Sequence, residues 1–336
     1  MQPRARFGGD RATLRTPPAE IAVAVGWRRP LLRSRRRPSD DAEAAARPAP
    51  TASAYAQLML YIGVDLAWGE GSDAKPANET GLCALTAEGR IVAAGWERGV
   101  EGVVRWILGV VAEAKAAVGP GVAIAVDAPL VVPNAVGMRE SEKQVGRAYG
   151  RWKVAANPTN QALGWLAGVR LRDALEQAGF VVVSGVPDPE PRDRVMFECY
   201  PYTTLVGVEE LGYDDERPRY KRLDKALPAA EARAARAVAT DELVRRIGLL
   251  DTFDPPLDLA SHPLTRALLD EPSPLSGPAH KHREDLLDAT LCAWTASIWH
   301  RHGLSRVQVL GRDEPKDPSG RPATLVAPCR PSQRLP

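Results

Sequence analysis

The sequence is poor in cysteine and has no long apolar run, and both absences exclude something. Its 336 residues contain Cys83, Cys199, Cys292 and Cys329, and no two of them stand at C-x-x-C spacing. That spacing is what a zinc ribbon or finger needs. Cys83 and Cys292 lie in apolar runs and read as small core residues, which predicts a reducing, cytoplasmic setting. No stretch reaches the roughly 18 consecutive apolar residues of a spanning helix, so no membrane partner is expected. There is no internal repeat, which excludes a solenoid.

Net charge is also nearly absent, at +2, but it is unevenly placed. Residues 1–58 hold 11 Arg, no Lys and 5 acids, a charge of +6, which leaves 33 basic and 37 acidic residues, or −4, on the remainder. A mildly acidic remainder argues against a broad basic nucleic-acid platform. It leaves room for a small metal-dependent cleft. The Arg/Pro-rich segment 1–58 has no sustained period and reads as a disordered leader or as sequence upstream of a true start at Met59.

From Met59 the pattern is regular, and 59–330 reads as one α/β domain. Strand-like runs at 60–66, 80–86 and 91–96, the last two joined by Ala87-Glu88-Gly89-Arg90, predict an antiparallel meander. A helical period over 99–117 follows. The apolar run 122–126 then ends on Asp127, before Ala128-Pro129. Residues 138–178 read as two helices, the second over 161–178, broken at 156–160. Strand-like runs recur at 180–184 and 194–199, a helical and Pro-rich insertion spans about 203–279, and a patterned helix covers 284–300. A last hairpin is predicted at 307–310 and 324–327.

Two buried strands therefore end on carboxylates, Asp65 and Asp127. An Asp at such a place is either a local turn or helix cap or an acid that something must neutralise. Asp285 and Asp288 lie three apart, on one face of the late helix. Asp288 sits a full turn inside, where Asp has poor propensity. If that helix packs near the two strand ends, four carboxylates converge and repel. Hard divalent cations relieve such a cluster, and carboxylate oxygens suit Mg²⁺ or Mn²⁺. Two ions would serve phosphodiester cleavage. Glu198, just before Tyr200-Pro201, is a fifth candidate ligand or the holder of an outer-shell partner. His280, Lys281 and His282 read as a solvated basic cluster or, since a His stands three residues before an acid, as an aid to protonation or product release, and Lys281 is a candidate substrate contact. The stretch 139–151, with Arg139, Arg147, Tyr149 and Trp152, is a candidate strand-contact surface or a solvated face.

The order of these pieces resembles the ribonuclease H-like superfamily and, more closely, the predicted RNase H-like nuclease family numbered 429 among domains of unknown function. The matching segments are Gly63-Val64-Asp65-Leu66-Ala67, Ala125-Val126-Asp127-Ala128-Pro129, Ala156-Asn157-Pro158-Thr159-Asn160, Glu198-Cys199-Tyr200-Pro201 and His282-Arg283-Glu284-Asp285-Leu286-Leu287-Asp288-Ala289. The resemblance implies a mixed five-stranded sheet flanked by helices and a Mg²⁺ or Mn²⁺ nuclease. Asp65, Asp127, Asp285 and Asp288 would be ligands, and Asn157 and Asn160 would lie near a nucleic-acid substrate. A sugar-kinase-like phosphotransferase and a non-catalytic binding module are the rival readings. The first needs a second copy of the meander, which the sequence lacks.

Overall fold

In the computed structural model the described residues are 59–69, 71–72, 75–115, 121–164, 166–186 and 194–336. The leader expected at 1–58 lies outside them. β1 (Met59–Asp65) pairs antiparallel with β2 (Glu79–Thr86), and β2 pairs antiparallel with β3 (Ile91–Arg98). This is the expected meander. α1 (Gly99–Lys115) crosses over to β4 (Gly121–Val126), which lies parallel to β1.

After α2 (Glu140–Tyr149) and α3 (Ala167–Gln177), the short β5 (Val181–Val182) and then β6 (Arg194–Glu198) join in parallel. The chain continues through α4 (Pro201–Gly207), α5 (Ala229–Ile247), α6 (Pro263–Asp270) and α7 (Gly277–His302). It finishes with the hairpin β7 (Val307–Leu310) and β8 (Leu325–Pro328). The sheet order is β3-β2-β1-β4-β6-β8-β7, with β5 paired to β6. This is the expected mixed α/β sheet, with eight strands instead of five. The extra strands are β5 and the terminal hairpin, which extend it beyond β6.

Alternation along the strands sorts side chains onto two faces. Leu60, Ile62 and Val64, with Val122, Ile124 and Val126, pack against Val103 and Ile107 of α1 and Leu171 and Leu175 of α3. Met59 and Tyr61, with Ala123 and Ala125, face the cluster containing Leu286, Leu287 and Ala293 of α7. Two glycines let α7 lie directly on the strands. A Cβ on Gly63 would stand 1.9 Å from the Ala289 carbonyl oxygen, and one on Gly81 would stand 2.0 Å from that of Asp285. Neither backbone can yield without lifting the helix. Gly63→Ala is therefore expected to cost about 3 kcal/mol or more, beyond ordinary overpacking, as read from the urea unfolding midpoint.

Two expectations need correction. The second helix begins at Ala167, not near 161, because the preceding segment is held by backbone and side-chain hydrogen bonds to 134–137 and within itself. Gln161 N donates to Asn134 O at 3.0 Å, and Asn160 Nδ2 donates to Gly137 O at 2.9 Å. Asn160 Oδ1 accepts from Ala162 N in a local turn that competes with helix. The 203–279 insertion is also more regular in its Pro-rich part, 248–279, than the irregular chain expected there. It roofs the outer side of α7: Thr204 Oγ1 bonds Thr295 Oγ1 at 2.7 Å and Trp294 Nε1 donates to Pro255 O at 2.9 Å. Covered on both sides, α7 is buried nearly all round from Arg283 to Trp299.

Candidate metal centre

β1 and β4 run parallel with Val64 opposite Val126, and Asp127 N donates to Val64 O at 2.8 Å. The next residue of each strand, Asp65 and Asp127, thus leaves the sheet side by side. Both continue the face that carries Tyr61, Gly63, Ala123 and Ala125, the face beneath α7. The helix adds Asp288, which is fully buried. Carboxylate oxygens of Asp65, Asp127 and Asp288 all lie within 4.8 Å of one another. The turn after Asp65 is held by Ala67 N donating to Thr80 Oγ1 at 3.0 Å, so the Asp65 carboxylate is not its cap.

Asp285, expected as the fourth member, stands beside this trio. It is ion-paired with Lys281, which also approaches Asp65. Burial, more than any neighbour, pushes its carboxyl up to about 6, against the opposing pull of Lys281. Burial also holds Asp65 well above the carboxylate range, with repulsion from Asp288 and Asp285 adding to it. Asp127 is raised the same way, first by burial and then, against Lys221, by Asp65, Asp288 and Glu198.

Two residues that sequence reasoning missed complete the trio. Tyr220 Oη donates to Asp288 Oδ1 at 2.5 Å. Lys221 forms an ion pair with Asp288 Oδ2. Burial alone would lower the Lys221 ammonium, but Asp288, Asp127 and Asp65 hold it well above the ordinary lysine value. Both residues arrive on the aperiodic loop between α4 and α5, where neither spacing nor composition distinguishes them from the surrounding charged residues. That loop is anchored by fully buried His280, whose Nε2–H donates to Tyr220 O at 2.8 Å.

The basic triplet before the helix acids therefore divides into three roles. His280 holds the loop. Lys281 reaches Glu284 at 3.0 Å and Asp65 at 4.0 Å. His282 stacks on Trp96 with ring centroids 3.6 Å apart and shares a 2.8 Å bond with Glu79.

Glu198 does not join the trio, and the reason is parity. It is in register with Val126, one residue short of Asp127, so it points to the opposite face of the sheet. There it accepts two hydrogen bonds from Arg139, Nη2 to Oε1 at 2.6 Å and Nη1 to Oε2 at 2.7 Å. Arg139 also donates from Nε to Glu142 at 2.7 Å, and Glu142 accepts Thr159 N at 3.0 Å. Arg139 is 1% exposed, so it cannot contact a substrate as expected. Removing one partner of a buried ion pair strands the other. Arg139→Met is thus expected to cost about 3–5 kcal/mol in denaturant unfolding. Arg139→Lys should recover only part of that, because an ammonium cannot bond both oxygens of Glu198 as the guanidinium does.

The other candidate contacts separate. Arg147 is exposed and pairs with Glu140 at 2.7 Å. Asn160 is spent on its turn. Asn157 lines a cleft of about 50 Å³ beside Asp127, together with Trp68 and Tyr200.

The donor set fits a divalent cation. Five carboxylates, Asp65, Asp127, Glu284, Asp285 and Asp288, share two ammonium groups, Lys221 and Lys281, so the acids outnumber the cations available to them. Asp288 Oδ2 is buried and makes no hydrogen bond, only the Lys221 ion pair. Among the described residues no helix is long and apolar enough to cross a membrane, and all four cysteines are buried free thiols. No curated protein matches the chain. A family model described as a protein of unknown function, DUF429, matches residues 63–313, a span that takes in every acid of the centre. With most of its length inside that match, the chain belongs to the DUF429 family.

Proposed function

We propose that the chain is a divalent-metal-dependent nuclease of ribonuclease H-like architecture that hydrolyses phosphodiester bonds of RNA or DNA in a reducing, cytoplasmic setting. The observation that carries this reading is the meeting of Asp65, Asp127 and Asp288 within 4.8 Å at the ends of two parallel strands and under one helix. Asp65, Asp127 and Asp288 would hold Mg²⁺ or Mn²⁺, with Asp285 at their edge and two ions expected. When bound, the ions would activate a water and stabilise the leaving oxygen.

The chain's own groups prepare that centre. Tyr220 fixes one oxygen of Asp288. Lys221 and Lys281 keep the acids tolerable in a partly dry site. Lys221 must release Asp288 Oδ2 for that oxygen to become a ligand. The cleft lined by Trp68, Asn157 and Tyr200 offers aromatic surface beside Asp127, suited to stacking an unpaired base. A phosphotransferase of sugar-kinase type is less well supported, since the described residues hold one meander.

The test is a cleavage screen over single-stranded, duplex, hybrid and branched substrates with Mg²⁺ or Mn²⁺. Metal-dependent cleavage is expected in the wild type, reduced in Asp127→Asn by more than about a hundredfold, beyond the loss typical of an outer-shell partner. Cleavage that survives in Asp127→Asn would remove the assignment.

A further inference from the structure

Asp288 divides its two oxygens between unlike partners. Oδ1 accepts a hydrogen bond from Tyr220 Oη at 2.5 Å, which holds the carboxylate in place. Oδ2 is buried, accepts no hydrogen bond and meets only the Lys221 ammonium. One oxygen is thus fixed by a neutral donor and the other is left to a cation. The cation at Oδ2 can be exchanged while Tyr220 keeps Asp288 oriented.

The two ammonium groups of the centre are not held alike. Lys281 pairs with Glu284 and Asp285 and stands 4.0 Å from Asp65, so most of its hold lies outside the trio. Among the described residues Lys221 has one ion pair, with Asp288, and the acids that attract it most are Asp288, Asp127 and Asp65. Those are the three whose oxygens lie within 4.8 Å of one another. Lys221 therefore stands where the trio calls for a cation. Its side chain is 18% exposed while that of Asp288 is fully buried, so the lysine reaches solvent and its partner does not. Lys221 Nζ also lies 5.0 Å from the Tyr202 ring centroid, and the Arg217 guanidinium lies 4.3 Å from the same ring. An aromatic face attracts cations, which gives the ammonium a second station beside its carboxylate.

We propose that Lys221 is an exchangeable counter-ion: its ammonium gives up Asp288 Oδ2 when a divalent ion is bound, moves out beside the Tyr202 ring and takes a phosphate oxygen of the substrate strand. The proposal rests on the metal reading of the trio. An ammonium and a divalent ion sharing one carboxylate oxygen repel strongly in a partly dry site. The flexible four-carbon stem of a lysine lets the charge move while His280 keeps its hold on the loop. Away from Asp288 the charge needs another anion, and a backbone phosphate at the centre supplies one. Strand affinity should then rise only once metal is bound, and part of that rise should belong to Lys221 and not to the ion's own contacts.

Amine acetylation of the full wild-type chain, read at Lys221 by peptide mass spectrometry, follows the ammonium directly. Lys221 should be protected in EDTA and acetylated severalfold faster in saturating Mn²⁺. It should be protected again when hydrolysis-resistant phosphorothioate ten-mers of RNA and DNA, single and duplex, are added. Lys225, exposed on the same loop, should react alike in EDTA and in Mn²⁺. In Mn²⁺, Lys221→Met should hold the protecting ten-mer at least about tenfold more weakly than wild type by fluorescence anisotropy, the loss of a charge-assisted contact, while still binding Mn²⁺. The labelling needs no variant and decides by itself if Lys221→Met fails to fold. Calorimetry with Mn²⁺ on the same wild-type sample separates the two failures. No Mn²⁺ binding would remove the metal reading and this proposal with it. Mn²⁺ binding with Lys221 still protected, Lys221 released but shielded by none of the ten-mers, or ten-mer affinity unchanged in Lys221→Met would overturn this proposal alone.

Discussion

Asp127→Asn is expected to make the metal-free protein more stable while destroying its metal-dependent activity. Asp127 is buried beside Asp65 and Asp288, and burial and repulsion both resist its ionisation. The amide keeps the shape and removes the charge. A gain of about 1–2 kcal/mol is expected in urea unfolding with EDTA, in the range of other relieved strains.

The pH dependence follows from the same groups. A carboxylate whose value is raised on folding takes up protons as the chain folds, so its contribution is complete below the ordinary carboxylate range. It is lost as pH rises through the raised value. For Asp285 that window runs from the usual 3.8 to about 6, and Asp65 and Asp127 extend it upward. Metal-free wild type should therefore lose stability between pH 4 and neutrality, and Asp127→Asn should flatten that loss. A variant less stable than wild type in EDTA at pH 8 would show that the acids are held for structure.

Lys221→Met should do the reverse. Lys221 is the cation paired with fully buried Asp288 and is also close enough to favour Asp127 and Asp65 as anions. Its loss leaves three acids with Lys281 alone nearby, and breaking a buried pair costs about 3–5 kcal/mol. In EDTA the variant should unfold at distinctly lower urea. Mn²⁺ should restore most of the loss, since saturation at a hundred times the dissociation constant adds about 2.7 kcal/mol. Its Mn²⁺ affinity should match or exceed that of wild type, because the ion no longer displaces an ammonium. Loss of Mn²⁺ binding in Lys221→Met would mean that the lysine helps to build the site and does not compete for it.

How much of this the sequence discloses depends on periodicity. Asp65 and Asp127 are legible because each ends an uninterrupted apolar strand, and Asp288 because it interrupts a helix where Asp is disfavoured. Glu198 is open in the sequence between a fifth ligand and the holder of an outer-shell partner, and only the register of its strand speaks against the first. In Arg194–Glu198 the acid occupies the position that pairs with Val126, so two-residue alternation already turns it away from Asp127. Lys221 and Tyr220 were not legible, since a loop has no period and only its anchoring by His280 brings them in. The roof over α7 was obscured by its prolines, which break helices locally without preventing packing.

The central claim is that Asp65, Asp127 and Asp288 form a cation site. Titration calorimetry with Mn²⁺ on wild type, Asp65→Asn and Asp288→Asn tests it most directly. Saturable binding is predicted in the wild type, weakened by more than about a hundredfold in each variant, beyond what a change outside the ligand set typically costs. No binding to wild type, or equal binding by all three proteins, would contradict the account.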